Sequence, residues 1–194
     1  LLDETRARGV KHGCVTADGG YGDDGDFRAS LRKRKEAYVL CVTPTSAQFT
    51  SADTPVLEST GKPDGPGRPR KNRLLPKDAI IMNASEMAER ATDWTRIEWA
   101  QGEKGALSGE FVMKKVRVVT GHRIATDEVG FLLIERRATN QDQDLRAYIC
   151  WGFDEGSTTV QKLVELAHAR WPVEQFHRDA KQILGIDRFE GRSW

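Results

Sequence analysis

Three charged residues near the end of the chain have the spacing of a helix face. In "RWPVEQFHRDAK", three residues separate Arg170 from Glu174 and six separate Glu174 from Lys181. At about 100° per residue, Glu174 and Lys181 fall nearly in line, two helical turns apart. His177 and Arg178 flank that line, while Val173, Phe176, Ala180, Ile183 and Leu184 gather on a neighbouring face that can bury. Arg170 joins the charged face if the helix continues through Trp171–Pro172. A carboxylate ringed by cations fits two chemistries. One is a salt-bridged solvent face, whose i,i+4 pairs each add a few tenths of a kcal/mol. The other is a metal-binding carboxylate, with basic side chains holding an anionic backbone beside it. Phosphoryl transfer needs carboxylates to hold Mg2+ and cations for the phosphates that the metals do not touch.

A metal site needs a second carboxylate, and Asp18 is the candidate. It closes "CVTAD", a run of small and β-branched residues that reads as a strand, and it precedes Gly19-Gly20-Tyr21-Gly22. Glycines let a backbone approach a ligand closely, and ligands bind at the C-terminal ends of strands in open α/β sheets. An Asp that merely starts a turn has the same local signature.

The elements that must position these residues follow from periodicity and punctuation. Residues 1–8 read as a short helix, and "GGYGDDG" as a turn in which Asp23 or Asp24 caps a helix over about Asp26 to Ala37. "AYVLCVT" is an apolar, β-rich run and reads as a buried strand. Strand, helix and strand with short links predict a βαβ unit. From Pro44 to about Arg73 the chain is rich in Pro, Gly, Ser and Thr, which predicts an exposed loop. "ASEMAERA" reads as a short helix. "WTRIEWA", "EFVMKKVRVVTG", "GFLLIERRA" and "LRAYICWGF" read as a small antiparallel sheet. "STTVQKLVELAHAR" begins at a Ser/Thr cap and carries helical spacing, and Pro172 can open a second helix that Gly185 ends.

Composition narrows the function classes. The 194 residues suit one domain, or one domain carrying an insertion. With 38% hydrophobic and 30% charged residues, the composition is that of a soluble globular chain. A net charge of +1 means that nucleic-acid binding must come from local clusters of Lys and Arg. Three cysteines (Cys14, Cys41, Cys150) without a CxxC pair suit a reduced, cytosolic compartment, and the four histidines show no zinc-like spacing with them. Cys14 and Cys41 fall in strands expected to be buried, which argues against a Cys–His hydrolase. No apolar run approaches the roughly 20 residues that span a bilayer, so no membrane partner is expected. The chain begins without Met and stops without a tail, and both ends are expected to be cut.

Together these pieces resemble the DDE transposases of bacterial insertion sequences. "ADGGYG" is similar to the family pattern A-D-x-G-Y-G, in which the second catalytic Asp ends a strand, and this puts Asp18 in that role. "RWPVEQFHRDAKQILGIDRFEGRSW" is similar to the family's third-carboxylate helix, Y-x2-R-x3-E-x6-K, with Arg170, Glu174 and Lys181 matched and Ala167 where the family has tyrosine. "WAQGEKGALSGEF", "KKVRV" and "FLLIERRA" are similar to the insertion and to the strand before the catalytic helix. The resemblance implies an α/β fold: a partial ribonuclease H-like core over 1–43 and 147–194, interrupted by a β-rich insertion over 44–146. Asp18 and Glu174 lie 156 positions apart (174 − 18), more than a minimal core needs, and the insertion accounts for the excess.

The resemblance further implies two Mg2+ (or Mn2+) ions held by Asp18 and Glu174, with metals about 4 Å apart for in-line phosphoryl transfer. Arg170 and Lys181 would position DNA phosphates, and Tyr21 would support its loop or touch DNA. The implied partners are transposon ends and target DNA, with a homodimer on paired ends, in the bacterial cytoplasm. The family's first Asp lies on a strand upstream, and only 17 residues precede Asp18 here. Asp3 sits in a helix-like segment. The first carboxylate is therefore expected to be absent and the chain alone to be inactive. The alternative is a non-catalytic DNA-binding protein. "GPGRPRKNR" places Arg68, Arg70, Lys71 and Arg73 in one extended segment, and its Gly67-Arg68-Pro69 core resembles a minor-groove A·T-hook. An exposed basic loop without defined structure reads the same way.

Overall fold

The computed structural model describes residues 2–57, 73–102, 105–138, 143–169, 176 and 179. After α1 (Leu2–Ala7), β1 (Val15–Ala17) leads into α2 (Gly19–Gly22), α3 (Gly25–Lys33) and β2 (Tyr38–Val42). The glycine-rich turn expected after Asp18 is thus wound into the short helix α2. Gly22 makes that packing possible, because a Cβ there would lie 1.7 Å from the Cys41 carbonyl oxygen of β2. Asp24 caps α3, accepting from the N–H groups of Asp26 and Phe27. Asp23 instead ties α2 to the end of β2, accepting from Thr43 N at 2.9 Å, Thr43 Oγ1 at 2.7 Å and Ser46 Oγ at 2.6 Å. Partial burial works against the Asp23 charge, but these hydrogen bonds hold its carboxyl below the usual carboxylate range. Helix α3 ends at Lys33, short of Ala37, because Lys35 turns into the left-handed region at φ 57°.

The chain continues through β3 (Gln48–Ser51), α4 (Ala84–Arg90), β4 (Thr95–Gly102), β5 (Gly105–Thr120), β6 (Ile124–Ala138), β7 (Gln143–Trp151) and α5 (Val160–His168). Strand β3 falls inside the stretch expected to be an exposed loop, and its Phe49 is fully buried. Proline and glycine marked the segment correctly as punctuated, but four residues of β3 are enough to pair with β5. Helix α4 carries a capping box in which Asn83 Oδ1 accepts from Glu86 N and Glu86 Oε2 accepts from Asn83 N. Thr159 caps α5 through Lys162 N. The second helix expected from Pro172 lies outside the described residues apart from Phe176 and Asp179, which are helical. Phe176, expected on the burying face, is exposed.

The strands form one seven-stranded sheet in the order β1-β2-β7-β6-β5-β3, with β4 on β5. Strands β1 and β2 are parallel, as the expected βαβ unit requires, and every other pairing is antiparallel. The fold is α/β with a mixed sheet. The strands expected as a small antiparallel sheet pair as such and are continuous with β1 and β2, because β7 pairs with β2 on one side and β6 on the other. The expected boundary between residues 146 and 147 falls within β7.

Both faces of the sheet are covered. On one, Tyr38, Leu40, Leu132, Ile134 and Ile149 pack against Leu31 of α3 and Ala84 and Ala88 of α4. On the other, Val39, Phe111, Leu133 and Cys150 pack against Leu163 and Val164 of α5. A buried ion cluster ties α3 to β6. Glu128 Oε1 accepts from Arg28 Nε at 2.9 Å and from Tyr38 Oη at 2.6 Å, and Glu128 Oε2 lies 2.9 Å from an Arg32 guanidinium nitrogen. Burial first, and then the Glu128 charge, pushes the Tyr38 hydroxyl far above its usual range, so it stays a donor. Arg28 also donates to the Gly22 carbonyl, which fixes the end of α2. No helix among the described residues is long and apolar enough to cross a membrane.

Candidate active site at the end of strand β1

Side chains alternate across a strand. Val15 and Ala17 pack toward the α3 face, so Thr16 and Asp18 point to the face that α5 covers. Asp18 has extended backbone angles (φ −80°, ψ −179°), which carry that alternation one residue past β1. It occupies the N-cap position of α2, yet its carboxylate makes no capping hydrogen bond there. The side chain is exposed and opens into a cleft of about 280 Å³. Cys41, Tyr148, Arg137, Arg146 and His168 line the same cleft. Tyr21 is exposed nearby in sequence and its ring meets Phe27 at 5.4 Å.

Behind that wall lies Glu135 of β6, with no exposed surface. Arg137 Nε donates to Glu135 Oε1, and Tyr148 Oη donates to Glu135 Oε2 at 3.2 Å. His168 Nε2 stands 3.4 Å from Glu135 Oε2, an ion-pair separation without the alignment of a hydrogen bond. Burial pushes the Glu135 carboxyl up, but His168 and Arg137 outweigh it and leave the group below its usual range. The Tyr148 hydroxyl is pushed well above its usual range, by burial first and by the Glu135 charge second. The His168 ring stacks on Trp99 of β4, centroids 4.0 Å apart and 7° from parallel. His168 is the last residue of α5, so Glu135 and Trp99 together dock that end of the helix beside Asp18.

A second, larger cleft of about 780 Å³ runs between the β4–β5 hairpin and the end of α5. Arg137 and His168 line both clefts, and Arg96, Trp99 and Arg136 line the larger one. The described residues bring together no group of three His, Cys, Asp or Glu side chains that could hold a metal ion. Asp18 is nevertheless a hard oxygen donor, suited to Mg2+, at an open strand end.

Of the residues given a site role from the sequence, Asp18, Tyr21 and Arg73 are described. Arg170, Glu174 and Lys181 lie outside the described residues, as do Arg68, Arg70 and Lys71. Ala167, matched to the family tyrosine, lines the Asp18 cleft, so the described end of the helix motif and the Asp motif meet. Arg73 is remote from them. Its carbonyl accepts from Ala125 N at 2.9 Å, near the start of β6. Arg137 lies 12 residues further along that strand (137 − 125), a path of roughly 40 Å at about 3.3 Å per residue. Burial, and then the nearby Arg73 charge, hold the Arg117 guanidinium below its usual range.

Sequence reading did not single out Arg137, Arg146, Tyr148, His168 or Glu135. A signal existed in "FLLIERRA": within an apolar strand, Leu133, Glu135 and Arg137 share one face at period two. A charge inside a buried run requires a partner.

A family model described as DDE superfamily endonuclease matches residues 1–106. No curated protein and no solved structure matches the chain.

Proposed function

The chain belongs to the DDE superfamily endonucleases, and on that premise we propose that it is part of a transposase that cleaves and joins DNA by phosphoryl transfer. The observation that carries this reading is the position of Asp18. It stands at the C-terminal end of β1, on the sheet face covered by α5, in a cleft walled by Arg137, Arg146 and His168. Helix α5 leads towards Glu174 in sequence, six residues past His168 (174 − 168).

In this reading β1, β2, β7 and α5 belong to a partial ribonuclease H-like core, and β3 to β6 to the β-rich insertion. Asp18 and Glu174 would hold the metal ions, which would supply Lewis-acid stabilisation of the phosphoryl oxygens. Arg170 and Lys181 bind DNA phosphates on either side of Glu174. The buried Glu135 fixes Arg137 and the end of α5 before DNA arrives, so orientation is established in advance. No residue of the sequence is matched to the family's first carboxylate, so the chain supplies two carboxylates of the three.

The test is strand cleavage by the intact parent enzyme on DNA carrying the element's ends, with Mg2+ or Mn2+. Glu174→Ala is expected to abolish cleavage while DNA binding survives. Retained cleavage by that variant overturns the assignment. The 194-residue chain by itself is expected not to cleave.

A further inference from the structure

Two arginines to which the family resemblance gives no role share the cleft with Asp18. Arg137 comes from β6 and Arg146 from β7, and the carboxylate opposite them is exposed. Arginine presents a planar fork of donors that suits phosphate oxygens. Arg137 uses Nε on the buried Glu135, which leaves the geometry of the rest of its guanidinium set by that anchor. Its side chain is 30% exposed, so the fork reaches the cleft although its base is anchored in the core. Arg146 is more open, at 45%; its Nε lies a loose 3.7 Å from Asp144 Oδ2, and its guanidinium also engages Tyr148. We propose that Arg137 and Arg146 form a DNA-phosphate subsite facing Asp18, with Glu135 as the positioning residue that aims Arg137. The inference rests on the reading that the chain acts on DNA, and it adds the side chains that hold the backbone against the β1 carboxylate.

Because Arg137 also lines the larger cleft, it stands at the junction of the two. A backbone held at Arg146 and Arg137 leaves the Asp18 cleft toward Arg96. Recognition here is of phosphate and carries no sequence preference, so a short duplex of arbitrary sequence is a valid probe.

The experiment measures binding of a labelled short duplex to the 194-residue chain as a function of salt. On B-DNA, removing a side chain that neutralises one phosphate lowers the slope of log K against log salt by about 0.9. Arg146→Gln should lower it by about that amount. Arg137→Gln alone leaves the Glu135 carboxylate buried without its cation and can unfold the chain. The companion Glu135→Gln/Arg137→Gln removes both charges together, and circular dichroism checks that it folds. It should lower the slope by about 0.9, and combined with Arg146→Gln by about twice that. Lys33→Gln, an exposed charge on α3 across the sheet, should leave the slope unchanged. Glu135→Gln alone, which keeps Arg137, should weaken binding, and by no more than the Glu135→Gln/Arg137→Gln companion does.

Unchanged slopes in the arginine variants of a chain that still binds DNA would overturn the subsite and leave the DNA reading standing. An equal effect from Lys33→Gln overturns it too, since any charge would then serve. Absence of duplex binding even at low salt overturns both. Unchanged binding in Glu135→Gln, with Arg137 kept, overturns the positioning role of Glu135.

Discussion

His168 stacks on Trp99 with ring centroids 4.0 Å apart and 7° between planes, which joins the last residue of α5 to strand β4. Two elements 69 residues apart in sequence (168 − 99) thus form the wall between the two clefts. An aromatic pair of this kind adds about 0.5–1.5 kcal/mol beyond the area it buries. Trp99 is half-buried, so Trp99→Ala should cost about 2 kcal/mol, at or below the low end for core aromatics. Urea denaturation checks this, and Trp99→Phe should recover much of the loss.

The Glu128 cluster makes a sharper stability prediction. Glu128 is buried between Arg28 and Arg32, whose side chains are 6% and 11% exposed. Glu128→Ala leaves both guanidinium groups without their shared anion, and breaking a buried pair in this way costs about 3–5 kcal/mol. Arg28 also donates to the Gly22 carbonyl, so the damage should extend to α2. Hydrogen exchange at the α2 amides should rise in the variant, beyond what global destabilisation explains.

Gly22 gives a steric test of how α2 is seated. A Cβ at this position meets the Cys41 carbonyl oxygen at 1.7 Å, and backbone cannot yield as a flexible side chain would. Gly22→Ala should destabilise the fold by about 1–3 kcal/mol, as overpacking does. Gly19→Ala, with open space around its Cβ, should cost much less. Equal losses from the two would show that α2 does not pack on β2 as described.

At Asp18, function and stability should separate. Its side chain is exposed, and Asn keeps its size and an acceptor oxygen, so Asp18→Asn should change stability by no more than about 0.5 kcal/mol, as surface substitutions do. In the intact parent the same change should abolish cleavage. A large loss of stability would place Asp18 among the structural carboxylates, with Asp23.

The pH dependence of folding should carry the mark of Glu135. Arg137 of its own strand, Tyr148 and Arg146 of β7 and His168 of α5 all face it. Its folded pKa lies below the ordinary value of 4.5, because His168 and Arg137 outweigh burial. Between those two values the unfolded chain binds a proton that the folded chain does not, so stability rises with pH there. The contribution is complete above the unfolded value and is lost as pH falls through the folded one. Urea midpoints measured through that range should fall with acid, and Glu135→Gln should flatten the decline.

The local signals in the sequence carried far. The βαβ unit, the four long strand segments and the Thr159 cap of α5 were legible, because alternation, helical spacing and capping act within a few residues. Asp18 was legible as a strand-end carboxylate for the same reason. Strand β3 was not, since four residues among prolines and glycines become a strand only when β5 lies alongside. The turn after Asp18 became α2 because Gly22 allows close approach to Cys41, a partner 19 positions away (41 − 22).

By itself the sequence determined the family, most of the order of the elements and the place of Asp18 as a strand-end carboxylate. Only the tertiary structure decided what surrounds Asp18. Strands β2, β7 and β6 stand side by side in an order that no local pattern encodes, and that order brings Arg137, Arg146 and His168 to one cleft. It also set Arg73 beside Ala125, near the start of β6 and far along that strand from Arg137. The physical reason is that short-range periodicity tells a residue which face it occupies, whereas long-range pairing and burial decide which other faces it meets.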